Sequence, residues 1–179
     1  MKSYLLIITI LYSLTGFSFE ETDGTAAKLL VAKNRTLIVE LPIKSPNYIK
    51  ELTKRNKLDE IAAYEKRCVY IKESIKTAFA KFWKFNEKVV FVSSDSIQSY
   101  MNGNESNYAV MRYGNRSKFK LGDKYENNYV MAHDRPRVFS LFLAEDEKEI
   151  LFLITPLKAA LGEFILSVDL FKLSINVYL

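Results

Sequence analysis

The chain of 179 residues contains one cysteine, one histidine, six glycines and four prolines. Its single cysteine, Cys68, has no partner for an intramolecular disulfide, so the fold must depend on a hydrophobic core. The single histidine, His133, excludes zinc sites that use two or three histidines. The sequence also lacks a phosphate-binding glycine loop, a dinucleotide fingerprint, a Gly-x-Ser-x-Gly elbow and a Cys-x-x-Cys pair. These absences leave no sequence signal for a named chemistry.

Positive charge is only slightly in excess, because 26 basic and 21 acidic residues give a formal net charge of +5. Between residues 50 and 81 the lysines alternate with glutamates and aspartates, which is typical of a solvated helix face. A nucleic-acid-binding protein would gather its basic residues on one face. We therefore predict no nucleic-acid partner.

An apolar run without charge follows Lys2 and ends before Glu20. It is too short to span a bilayer comfortably, which takes about 20 residues. Gly16 and Ser18 place small residues three and one positions before a cleavage site at Phe19. We therefore predict a signal peptide at residues 1–18, no transmembrane segment after its removal, and a secreted or periplasmic location. An uncleaved amino-terminal anchor is the alternative.

The rest of the chain has the composition and length of one domain. Residues 19–27 are small and polar and predict a flexible leader, and residues 28–179 predict a single domain. Short runs rich in β-branched and aromatic residues predict strands at 29–32, 36–41, 89–92 and 108–111, with 129–132 as a further candidate. Residues 138–143 and 150–154 predict a hairpin.

A long helix is the clearest secondary-structure prediction. Apolar residues recur at alternating steps of three and four, a spacing that only a helix places on one face: Ile61, Tyr64, Cys68, Ile71, Ile75, Ala78 and Phe82. Asp59 is the expected cap, and Ala62, Val69 and Phe79 are expected to widen the stripe. Shorter helices are expected over 48–58, after 93–95 and from Thr155 onward, and residues 173–179 fit either a strand or a continuation of the last helix. The fold class is therefore α/β (mixed α+β), a mixed sheet of about five or six strands with one long and two shorter helices packed on it.

A cysteine hydrolase needs a thiol, a base and an acid that orients the base, and Cys68, His133 and Asp134 could supply these three groups. Asp134 is the sequence neighbour of His133, however, and is badly placed to orient that ring. Cys68 lies in the apolar stripe, which is typical of a buried thiol. We therefore predict no catalytic residue, no metal and no cofactor. The alternative is a small extracytoplasmic enzyme that uses His133 with Cys68 or with a nearby carboxylate.

Two groups of residues are candidates for ligand binding, together with His133. Trp83 and Phe85 could present an aromatic platform to sugars or apolar ligands, although such rings more often belong to a core. Arg112, Arg116 and Lys118 gather at the polar stretch 113–127, where they could meet an acidic polymer, a lipid head group or another envelope protein. A solvated loop is the alternative for this group.

The sequence from 78 to 85, AFAKFWKF, leads into VVFV at 89–92. With the signal peptide and the abundance of lysine, asparagine, isoleucine and aromatic residues, it resembles uncharacterised secreted proteins of Bacteroidetes. That resemblance implies export and brings no activity with it. The order of elements is also similar to a thioredoxin-like core, with Pro136 at the place of its cis-proline. The missing Cys-x-x-Cys means that no redox function is carried over, and the strand at 108–111 departs from that fold.

From these features we predict an exported, non-catalytic envelope or secreted domain that binds a protein or a ligand. The sequence does not identify that partner. It also leaves the oligomeric state undetermined.

Overall fold

The computed structural model describes residues 25–114, 130, 137–146 and 149–155. The described strands are β1 (Thr36–Leu41), β2 (Val89–Ser93), β3 (Tyr108–Gly114), β4 (Arg137–Leu143) and β5 (Glu149–Thr155). The described α-helices are α1 (Thr25–Lys33), α2 (Pro46–Lys54), α3 (Leu58–Phe82) and α4 (Ile97–Met101), and a short 3-10 helix (Glu105–Asn107) precedes β3.

The strands form one mixed sheet in the order β2-β1-β3-β4-β5. Strand β1 pairs in parallel with both β2 and β3, whereas β4 pairs antiparallel with β3 and β5. This arrangement confirms the mixed α/β class and the predicted hairpin. Strand β3, which was the departure from a thioredoxin-like core, lies at the centre of the sheet.

Helix α3 confirms most of the predicted apolar stripe, since Tyr64, Cys68, Ile71, Ile75, Ala78 and Phe79 are all buried. Val69 is 61% exposed, so its predicted place in the stripe is wrong, and Ala62 is exposed as well. The reason is geometric, because one residue turns the helix by about 100° and carries Val69 away from the face of Cys68. The cap was also wrong: Lys57 occupies the N-cap position, and Asp59 lies in the first turn.

Residues 29–32 belong to helix α1, so the prediction of a strand there is wrong. Leu29 and Ala32, three positions apart, are buried on one side of the helix, while Leu30 and Val31 are 52% and 42% exposed. An apolar run of four residues does not by itself distinguish a strand from a helix. Helix α1 begins at Thr25, inside the predicted leader, and residues 19–24 of that leader lie outside the described residues.

The two faces of the sheet carry two cores. The front face is defined by Leu37, Val39 and Leu41, which join the larger cluster with residues of α1 and α3. The back face carries Ile38 and, by the alternation of side chains along a strand, Glu40. There Ile97 and Met101 of α4 pack with Ile38, Val92 and Val110. Helices therefore cover both faces.

Val130 is the described residue of the candidate strand 129–132. Its N–H donates to the carbonyl oxygen of Ile43 over 2.7 Å, and its side chain is buried in the front-face core. The Tyr64 hydroxyl donates to the Val130 carbonyl oxygen over 2.8 Å and accepts from the Ser45 N–H over 2.9 Å. Tyr64 thus ties Val130 to helix α3 and to the loop before α2.

Several predictions fall outside the described residues: the signal peptide, most of the polar stretch, the remainder of strand 129–132 and everything after residue 155. Residues 113 and 114 of the polar stretch are described, and they end strand β3 instead of beginning a loop. Within the described part of the chain, no helix has both the length and the apolar character needed to cross a membrane.

Candidate functional site

Strands β1 and β3 lie side by side and run parallel, and the connections that follow them lead to opposite sides of the sheet. After β1 the chain continues through α2 and α3 to β2 on one side, whereas the strand that follows β3 lies on its other side. Adjacent parallel strands whose successors lie on opposite sides define a topological switch point. In open α/β sheets, ligands bind outside the carboxyl ends of the strands at such a point.

A row of side chains crosses the back face near these carboxyl ends. Glu40 of β1 pairs in register with Val92 of β2, and Arg112 of β3 pairs with Ser140 of β4. Glu40 and Arg112 are themselves neighbours, because Val39 and Met111 pair one residue earlier. Glu40, Arg112 and Ser140 therefore place polar side chains on three adjacent strands, β1, β3 and β4. We call Glu40, Ser94, Arg112 and Ser140 the polar row.

Glu40 is the centre of the hydrogen bonds in the polar row. Arg112 Nε donates to Glu40 Oε2, and Arg112 Nη2 donates to Oε1 over 3.2 Å. Ser94, the first residue after β2, donates its hydroxyl to Oε1 over 2.7 Å. Glu40 is 0% exposed and Arg112 is 8% exposed, so the ion pair is buried. Its opposite charges leave the row electrically neutral.

Ser140 differs from the other three side chains. It is fully buried, and among the described residues its hydroxyl oxygen has no hydrogen-bond partner. Buried polar groups in folded proteins are nearly always hydrogen-bonded, so such a group calls for an explanation. Its hydroxyl can both donate and accept, which suits a ligand that carries a hydroxyl or an amide.

The buried ion pair between Glu40 and Arg112 is not expected to add much to the stability of the fold. Replacing a buried pair with apolar residues of similar volume is often neutral or stabilising, because two charges must lose their hydration. Removing one partner alone costs about 3–5 kcal/mol, since the other charge stays buried and uncompensated. The buried pair is therefore weak evidence for a role in stability.

The aromatic candidates have different environments. Trp83 is buried at 3% exposure, and its indole N–H donates to Asn86 Oδ1 over 2.9 Å. The centroid of its ring lies 5.4 Å from the ring centroid of Phe79 and 5.8 Å from that of Phe85. Phe85 is half-buried and packs on the front-face core. The structure thus places Trp83 within the core instead of on an open platform.

Arg112 is the one basic candidate that lies within the described residues. Arg112 was assigned to a surface group with Arg116 and Lys118, but the structure places it inside the sheet. The cause is the alternation of side chains along β3, which turns Arg112 onto the back face beside Glu40. Arg116, Lys118 and His133 lie outside the described residues.

Cys68 has the environment of a structural thiol. It is 2% exposed, and burial raises the pKa of its thiol, although the Tyr64 hydroxyl and nearby basic side chains act in the opposite direction. A raised pKa reduces the thiolate that a nucleophile needs. This environment does not favour the hydrolase alternative.

Sequence reasoning missed Glu40, Ser94 and Ser140. A signal was present for two of them, because Glu40 interrupts the apolar strand TLIVEL and Ser140 interrupts the apolar strand RVFSLFL. A lone polar residue inside a buried strand must find a partner. That partner could not be identified without the register of the sheet.

Among the described residues, no group of three or more His, Cys, Asp or Glu side chains could hold a metal ion. No protein-family model matches the chain, and no curated protein or solved structure matches it either. The case for a function therefore depends on the chain's own residues.

Proposed function

We propose that this chain is an exported, non-catalytic domain that binds an uncharged polar ligand at the polar row. The observation that carries the proposal is the Ser140 hydroxyl, which is fully buried and has no hydrogen-bond partner among the described residues. It lies in register with Arg112, whose charge is balanced by Glu40. Because the row has no net charge and the Ser140 hydroxyl can both donate and accept a hydrogen bond, it favours an uncharged ligand that does the same.

The position of the row supports the same proposal. It lies near the carboxyl ends of β1 and β3, and open α/β sheets bind ligands just outside such ends. Because the side chains are buried, a bound ligand would be enclosed and its hydrogen bonds would act at low local dielectric. The non-catalytic part of the proposal is supported by the buried Cys68 thiol.

Thermal-shift measurements test the binding site. The probes are neutral monosaccharides, disaccharides and short uncharged peptides, because a ligand that binds only the native state raises the melting temperature. At least one probe should raise the melting temperature of the wild type. The same probe should not raise that of Ser140→Ala, which removes the open hydroxyl and little volume.

Ser99→Ala is the matched control, since the exposed Ser99 hydroxyl donates to the Ser96 carbonyl oxygen, which is not part of the row. It should respond to the probe as the wild type does. A panel without any shift, or an equal shift in Ser140→Ala and the wild type, would contradict the proposal.

The export part of the proposal has support from the apolar run and the small residues Gly16 and Ser18. Amino-terminal sequencing of the chain from fractions of its native host tests it. A mature chain that begins at Phe19 in an extracytoplasmic fraction supports export. An intact chain in the cytosol contradicts it.

A further inference from the structure

Among the described strands, β2 lies at one edge of the sheet and pairs with β1 on its other side. Its sequence, VVFVS, contains no charge, proline or glycine. Edge strands of soluble proteins normally carry charges, prolines or bulges that prevent another strand from pairing with them. Within β2 none of these protective features is present. Val89, Val90 and Phe91 are only half-buried.

The hydrogen bonds to β1 show which backbone groups of β2 point outward. The Lys88 carbonyl oxygen accepts from the Leu37 N–H, and the Ser94 N–H donates to the Leu41 carbonyl oxygen, each over 2.9 Å. Because the direction of the backbone groups alternates along a strand, the even-numbered residues of β2 face β1. The N–H and C=O groups of Val89 and Phe91 therefore point away from the sheet, and among the described residues they have no partner there.

These outward groups match those of a second, antiparallel copy of the same strand. With Val90 opposite Val90 of the second copy, Val89 comes opposite Phe91. Two residues that face each other in this way exchange both of their N–H···O=C bonds, so the two symmetric pairs give four. Each pair also joins a β-branched residue to an aromatic one, a combination that stabilises antiparallel sheets.

The flanking residues favour this register over the next one. With Val90 at the centre, Lys88 comes opposite Val92 and Glu87 comes opposite Ser93, so no like charges oppose each other. With Phe91 at the centre, Glu87 would come opposite Asp95, and like charges directly opposite are destabilising. We propose that two copies of this chain pair antiparallel along β2, centred on Val90, and so join their sheets into one.

Sedimentation velocity of the wild type over a wide range of protein concentration tests the pairing. The sedimentation coefficient should rise from the monomer to the dimer value as concentration increases. Because each copy carries a formal net charge of +5, the association should be weaker at low salt, where repulsion is less screened. A monomer at every concentration and salt would overturn the proposal.

Val89→Pro is the first diagnostic variant. It removes an outward N–H at the first residue of the strand, a position where proline is tolerated, and leaves the bonds to β1 in place. It should remain folded by circular dichroism and should lose the dimer. A folded Val89→Pro variant that dimerises as well as the wild type would overturn the proposal.

A matched pair at Ser93 tests the register and does not depend on proline. Ser93→Lys places a positive charge opposite Glu87 of the second copy, and Ser93→Glu places a negative charge there. The lysine variant should dimerise more tightly than the glutamate variant, with a difference that shrinks at high salt. Equal affinities, or the reverse order, would overturn the Val90-centred register.

Discussion

The Trp83 indole N–H donates to Oδ1 of Asn86, and the same Asn86 side chain reaches the other way to the end of helix α1. Its Nδ2 donates to the carbonyl oxygens of Ala32 over 2.6 Å, Lys33 over 3.3 Å and Arg35 over 3.1 Å. Carbonyl groups at the last turn of a helix lack partners within that helix. Asn86 therefore links the end of α3 to the end of α1 and to the start of β1.

Replacing Asn86 should destabilise the fold through these buried groups. Asn86→Ala removes the acceptor of the Trp83 indole N–H and the side-chain donor to the carbonyl oxygens of Lys33 and Arg35, and each buried group that loses its hydrogen bond costs about 1–3 kcal/mol. We expect a clear loss in the free energy of unfolding, measured by urea denaturation. Asn86→Asp keeps an acceptor for Trp83 but faces the carbonyl oxygens with a carboxylate, so it should also be destabilised. Asn104→Ala, at an exposed position, should change little.

The same substitution, serine to alanine, at two positions of the polar row should have different effects on the free energy of unfolding. Ser94→Ala removes a hydroxyl that donates to the buried Glu40 carboxylate, and it should cost about 1–3 kcal/mol. Ser140→Ala removes a buried hydroxyl that has no partner among the described residues, so the free energy of unfolding should stay the same or rise. Urea denaturation of both variants measures the difference. Equal losses at the two positions would show that Ser140 makes a bond as strong as that of Ser94.

The elements that could be predicted from the sequence are those with a repeated local pattern. Helix α3 repeats its apolar step over many turns, and the hairpin arms are long enough to be unambiguous. Helix α1 could not be predicted because its burial depends on Leu29 and Ala32 meeting the sheet, which a run of four apolar residues does not reveal. Local pattern therefore predicts an element well when the element is long.

The polar row could not be predicted because it depends on pairing between distant residues. Glu40 and Arg112 are 72 positions apart, and only the register of β1 with β3 brings them together. Arg112 was selected from the sequence, but with Arg116 and Lys118, its neighbours along the chain. Strand alternation turns Arg112 onto the back face beside Glu40, and the identity of that partner depends on the register of β1 with β3.

Cys68 should react slowly with thiol reagents in the native protein. Burial raises the pKa of its thiol above the ordinary value of 9.0, so at neutral pH little thiolate forms, and the reagent cannot reach it. The rate of reaction with dithionitrobenzoate should be low in buffer and should rise strongly in urea. Val69→Cys in a Cys68→Ala background is the matched control, because Val69 is the next residue along the same helix and is 61% exposed. Native Cys68 that reacts as fast as this control would make it a candidate nucleophile again.

Glu145 at the hairpin turn should make stability depend on acidic pH. Arg35 donates from Nη1 to Oε2 and from Nη2 to Oε1 over 2.6 Å, and this hydrogen bonding holds the pKa of Glu145 below its ordinary value of 4.5, against the opposite effect of burial. A carboxyl group whose pKa is lower in the folded state contributes stability while it is ionised. That contribution is complete above the pKa of the unfolded chain and is lost as pH falls through the folded pKa.

Glu145→Gln should therefore lower the melting temperature at neutral pH, and the difference from the wild type should shrink as the pH falls below about 4.5. The side chain is 40% exposed, so screening by solvent keeps the effect small and sensitive to salt. Arg35→Gln removes the other partner, and adding Glu145→Gln to it should produce little further change at any pH. A difference between Glu145→Gln and the wild type that persists undiminished in acid would mean that Glu145 acts through packing and not through its charge.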